Sequence, residues 1–229
     1  MTLFSDGVKI GGTKGRKVGP AVRSSLAILD YVPPTLDRDG ICASQTRTGA
    51  GDLVINGALA ANGAAILDPG LESFGRCVGI YSSGNLSAVT FTVYGYTVRG
   101  APLRAAIAGP NNSTVTIPKA YGRVTRVTTS ATIGTAAEVG TVDRFGLPMR
   151  LYAFSQIVRA GFGATLAEDA ATFVIGDGTS PATASTTDVR GTVVPSAAAD
   201  GSKRLTVVMV PTMTSRASQY GVEDYGLGV

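Results

Sequence analysis

A chain of 229 residues is long enough to bury a sizeable core, as one large domain or two small ones. Hydrophobic residues make up 44% and charged residues 16%, which is too apolar for disorder and well below the about 25% charged residues of an average soluble domain. There is no histidine, which excludes Ser-His-Asp and Cys-His catalysis and every histidine-ligated metal site.

A surface so short of charge is expected to be covered in part by other subunits; the other reading is a surface solvated by Ser, Thr, Asn and backbone. No apolar run approaches the about 20 residues needed to cross a bilayer. The first residues, "MTLFSDGVKIGGTKGRK", lack the apolar segment and cleavage site of a secretory signal. The expectation is a protein made and assembled in a cytosol, with no membrane partner.

In chain order, residues 1–35 read as an extended basic arm. Over residues 1–23, Lys9, Lys14, Arg16, Lys17 and Arg23 stand against only Asp6, so this stretch holds the whole net charge of +4 and the rest of the chain is neutral. Glycines and the lack of a 3.6-residue apolar period argue against a helix, and Pro33-Pro34 stiffens the exit. Phe4 is the only aromatic of residues 1–23, so bases would find little to stack on. Nucleic acid is therefore disfavoured. Leu3, Phe4, Val8 and Ile10 would instead seat the arm on a neighbouring protein, with Lys9, Lys14, Arg16, Lys17 and Arg23 steering it. "SSLAILDYV" reads as a short strand joining the body.

Residues 36–229 read as a single domain of short strands. "ICASQTR", "DLVING", "RCVGIYS", "AVTFTVYGYTV", "PLRAAIA", "STVTI", "GRVTRVTTS", "AAEVGTV", "MRLYAFSQIV", "ATFVIG", "DVRGTVVP" and "KRLTVVMV" follow one another with Gly, Asn, Asp or Pro between them. That rhythm fits an antiparallel β-sandwich or jelly-roll-like module, all-β, and not βαβ units. "GNLS", "VRGAP", "GPNNS" and "AADGSK" supply the turns. "GATLAEDAA" (163–171) is the only helix-leaning stretch, and the alanine-rich "GALAANGAAIL" reads as loop or edge structure. No fixed-period repeat marks a solenoid or propeller.

Within "AVTFTVYGYTV", Val89, Phe91 and Val93 alternate with Thr90, Thr92, Tyr94 and Tyr96. The first set is expected in the core. The second forms an uncharged outer face and a candidate subunit interface, because tyrosine offers area at low entropic cost. An ordinary solvent-facing strand has the same composition, since Thr and Tyr are favoured in strands anyway.

Catalytic and metal-binding patterns are weak. Asp37 with Asp39, and Glu168 with Asp169, are sequence neighbours in turn-like context and read as solvated or turn-capping carboxylates. "DRDG" and "GDGTS" open like calcium loops but do not continue as one, and "GGTKGRKVG" lacks the order of a phosphate loop. Cys42 and Cys77 read as small buried residues, with a disulfide left open, and two thiols fall short of a zinc site. No cofactor and no small-molecule substrate are expected.

The strand at 89–98, "AGPNNSTVT" (108–116), "RVTRVTT" (123–129), "DRFGLPMRL" (143–151) and "DVRGTVVPS" with "DGSKRL" (188–205) together resemble the decoration, or cement, proteins of tailed bacteriophage heads and related small virion proteins. The resemblance spans roughly residues 75–210 and leaves the arm outside it. It implies a β-sandwich or jelly-roll module that binds the outer capsid lattice as a homodimer or homotrimer. The major capsid protein would be its partner, the virion surface its location and host cytoplasm the place of assembly. It implies no catalytic residue, so the expectation is a protein that is not an enzyme. The alternative is another phage structural part: a tail, head-completion or fibre-type β module.

Overall fold

Fifteen strands and one 3-10 turn form the regular structure of residues 26–67, 75–163, 168–177 and 187–210, the parts described by the computed structural model. The first five strands are β1 (Ala27–Tyr31), β2 (Cys42–Arg47), β3 (Gly51–Asp52), β4 (Ala60–Ala61) and β5 (Ala64–Ile66). Next come β6 (Arg76–Asn85), β7 (Thr90–Tyr96), β8 (Pro102–Ala108), β9 (Asn111–Tyr121) and β10 (Arg123–Thr129). The last are β11 (Ile133–Gly146), β12 (Ile157–Gly163), β13 (Thr172–Val174), β14 (Thr192–Val194) and β15 (Arg204–Met209).

All strand pairings are antiparallel. One sheet runs β4-β5-β10-β7-β8, with β3 also on β10. A second runs β13-β14-β11-β6-β9, with β2 also on β11. Phe91, Val93, Val124 and Val127 of the first sheet share a core with Val78, Ile80, Ile117 and Val139 of the second. Each such side chain, fully buried, contributes about 1.5–3 kcal/mol. The molecule is an all-β antiparallel sandwich.

A third sheet, β1-β15-β12, covers a smaller core. Leu29, Leu205, Val207 and Met209 pack there with Phe145, Leu147 and Val193. β11 therefore lies under both cores, through Val139 in one and Phe145 in the other. Buried ions mark the junction. The Arg76 guanidinium, 1% exposed, donates to Val142 O, Pro34 O and, at 2.5 Å, Asp143 Oδ1, and lies over the Phe145 ring. Asp188 accepts from the backbone of Ala120 and Arg190 and pairs with the Arg190 guanidinium. Buried charges persist only with such partners, and removing one of a pair costs about 3–5 kcal/mol.

Several expectations from sequence need correction. The strand in "SSLAILDYV" forms, but it lies at Ala27–Tyr31, inside the range assigned to the arm, and pairs with β15. "GPNNS" is not a turn: β9 begins at Asn111, with Asn112 at φ 44°, so only Gly109-Pro110 turns. "MRLYAFSQIV" is not one strand, because Gln156 Oε1 accepts from the Tyr152 and Ala153 amides and winds Phe154–Gln156 into a 3-10 turn before β12. In "DLVING" only Asp52 is in a strand. The helix-leaning stretch has Gly163 ending β12 and Glu168 bridged to Gly161, and its residues 164–167 lie outside the described ones. "GALAANGAAIL" lies at a sheet edge as expected, as a small hairpin, β4-β5, turning on Asn62-Gly63, both at positive φ.

Candidate protein-docking face

The outer face of β8-β7-β10 is built by register. Across it, Tyr94 stands opposite Arg104 on β8 and Arg126 on β10, while Tyr96 stands opposite Pro102 and Arg123. The Arg104 and Arg126 guanidiniums lie 5.5 and 5.3 Å from the Tyr94 ring centre, closing on it from the two neighbouring strands. Arg123 lies 4.9 Å from the centre of Tyr96. All three distances suit a cation–π contact.

A bulge makes this possible. In a regular strand residues three apart face opposite ways, so Arg123 and Arg126 could not share a surface. Between Val124 and Arg126 the register of β10 slips by one residue, leaving Thr125 as the extra. Both arginines then face outwards and Val124 and Val127 are both fully buried. The Thr125 hydroxyl donates to Tyr94 O. Gly95 lets the strands close at this point, since a Cβ there would stand 2.0 Å from Arg123 O.

One carboxylate faces the ladder. Asp52 on β3 accepts from Arg126 Nε at 2.9 Å and Nη2 at 2.8 Å, and raises the guanidinium's hold on its proton. Asp52 is itself fixed by Arg47, which donates to Asp52 O and Ala50 O. Gly51, at φ 143°, leaves the space that the Arg47 guanidinium fills.

Of the residues singled out from sequence, Val89, Phe91 and Val93 are core. Thr90 is exposed, and Tyr94 and Tyr96 are half-buried on the outer face. Thr92 is not available for contact: it is buried in a row with Thr128 and Ala106. The face is also not uncharged, because neighbouring strands bring three arginines to it. Phe4, Val8, Lys9, Ile10, Lys14, Arg16, Lys17 and Arg23 lie outside the described residues. Sequence reasoning missed Arg104, Arg123 and Arg126. The signal for the last two was "RVTRVT", whose valines three apart can both be core only around a bulge.

Other chemical groups have structural settings. Cys42 and Cys77 are buried free thiols, each pushed up to about 12 by burial. Burial, then the adjacent Asp39 carboxyl, raises Asp37 above its ordinary value. Asp169 accepts from the Ser196 hydroxyl and amide, a loop-fixing role. Burial lowers the Lys119 ammonium, which donates to Thr187 O. Among the described residues no three of Asp, Glu or Cys gather as a metal would require, and no helix is long and apolar enough to cross a membrane. Comparison with known protein families, with curated proteins and with solved structures returned no match to this chain.

Proposed function

We propose that this chain is a structural virion protein that binds the outer surface of a phage capsid and cements the shell by bridging neighbouring major-capsid subunits. The observation that carries the reading is the ladder of Arg104, Arg123 and Arg126 on Tyr94 and Tyr96, set on a rigid antiparallel sandwich. Arginine and tyrosine are the residue types concentrated in protein interfaces, and tyrosine and arginine recur among their energetic anchors. Stacked on a ring, an arginine has already given up much of the side-chain freedom that binding would otherwise cost.

On a shell this face would be presented many times in symmetric array. Modest contacts then add through avidity, and every bound copy shifts the balance from bare towards decorated shell by mass action. The arm at residues 1–23, with its concentrated positive charge, would add a second hold on the same neighbour.

Purified protein added to capsids that lack it tests the reading. Saturable binding at a symmetry-related stoichiometry, with particles that resist heat better, is the expected result. Absent or unsaturable binding refutes it. Deleting residues 1–23 should leave the melting transition intact and weaken attachment.

A further inference from the structure

The three arginines of the ladder are alike in stacking but not in charge pairing. Arg126 holds the Asp52 carboxylate through two donors, Nε and Nη2, that converge on one oxygen, Oδ1, in a charge-assisted contact. Arg104 and Arg123 are exposed, are held in place by Tyr94 and Tyr96, and meet no carboxylate among the described residues. The face thus carries one completed example of a contact and two unfilled copies of its basic half.

We infer that this face takes an acidic, extended segment of a neighbouring protein subunit, with carboxylates seated on Arg104 and Arg123. The inference rests on the docking role proposed above and names the chemistry of the partner. Arg104 and Arg123 stand two strands apart and one same-face step along, a separation of roughly 12 Å from ordinary strand spacing and rise. In an extended segment that span separates acidic side chains by about three or four positions.

Nucleic acid fits the face less well, although phosphate also pairs with guanidinium. Single-strand binders need free aromatic faces on which bases stack. Tyr94 has a guanidinium from each neighbouring strand on its ring, and Tyr96 has Arg123 on its own. The rings order the arginines, and a base would have to compete with a guanidinium for each of them.

The test uses the full chain and two probes, a fluorescent ten-residue oligoglutamate and a ten-residue oligothymidylate, in low salt. Each is titrated into wild type and into an Arg104→Gln, Arg123→Gln double variant. Both substituted side chains are exposed, so the variant should melt as wild type does. Oligoglutamate should bind the variant about tenfold more weakly, with oligothymidylate much less affected, since buried or ordered charge pairs govern dissociation. Equal binding of oligoglutamate to both proteins would overturn the inference, because the basic arm would then account for all of it. A larger loss for oligothymidylate than for oligoglutamate would also overturn it, in favour of phosphate. Capsid binding by the double variant separates this from the function itself. Unchanged attachment to shells together with lost oligoglutamate binding would refute docking through this face and leave the carboxylate site standing.

Discussion

The outward faces of β8-β7-β10 and of β1-β15-β12 have the same strand geometry and opposite chemistry. On the first, side chains hold one another across strands: guanidinium on tyrosine, carboxylate on guanidinium. On the second, Ile28, 59% exposed, and Arg159 stand opposite Val208 on β15 from either side, and Val158, 58% exposed, sits at the register shift of β12. Arg204 pairs with Asp30 at the polar end of that face. Exposed aliphatic residues are ordinary on soluble proteins. The contrast teaches that exposure alone does not mark a recognition surface. Order among exposed groups does, because it is paid for before the partner arrives.

The largest effects should come from the cores beneath the two faces. Phe91→Ala, under the arginine–tyrosine ladder, should cost about 3–5 kcal/mol, and Leu205→Ala, under the aliphatic face, about 2–5 kcal/mol. Urea unfolding followed by circular dichroism measures both. A single transition that shifts in each variant would show that the faces belong to one cooperative body, and two separate transitions would break the comparison into independent parts.

Alkaline pH should act through two thiols, one of them in the larger core. Both thiols stay neutral in the fold up to about 12 but ionise near 9 once unfolded. Their stabilising contribution is complete below pH 9 and is lost as pH rises towards 12, by up to about 1.4 kcal/mol per pH unit for each thiol. Cys42 belongs to the larger core, and the smaller one holds no cysteine among its described residues. Cys42→Ala should therefore reduce the decline between pH 9 and 11 in a urea series, with Cys77 supplying what remains.

The smallest effects distinguish the faces themselves. Tyr94→Leu removes two cation–π contacts and should cost about 1 kcal/mol. Ile28→Thr, on the aliphatic face, should stay within about 0.5 kcal/mol. Thermal melts of the two variants side by side measure the difference. Equal costs would mean that the ladder is no more ordered than its counterpart.

How much of this was legible follows from how local each feature is. The inward set Val89, Phe91 and Val93 was readable because alternation is a property of one strand. "PLRAAIA" was readable for the same reason, with turn residues on either side. The ladder was not, because it depends on which strands become neighbours and on a one-residue slip at Thr125. The tyrosine face reads as uncharged when only its own strand is considered, whereas Arg104, Arg123 and Arg126 reach it from the two neighbouring strands. Thr92 was misjudged because burial at that point is decided by Thr128 and Ala106, which arrive from two other strands. The third sheet escaped notice for a related reason: its strands lie at opposite ends of the chain, with Tyr31 paired to Leu205.

β11 carries a mechanical consequence. One unbroken strand from Ile133 to Gly146 runs beneath both cores and is hydrogen-bonded to β2, β6 and β14 along its length. A pull on either part must slide that strand against several partners at once, loading many hydrogen bonds in shear. Such a strand works as a tie-bar: it spreads a local tug over both of the parts it joins.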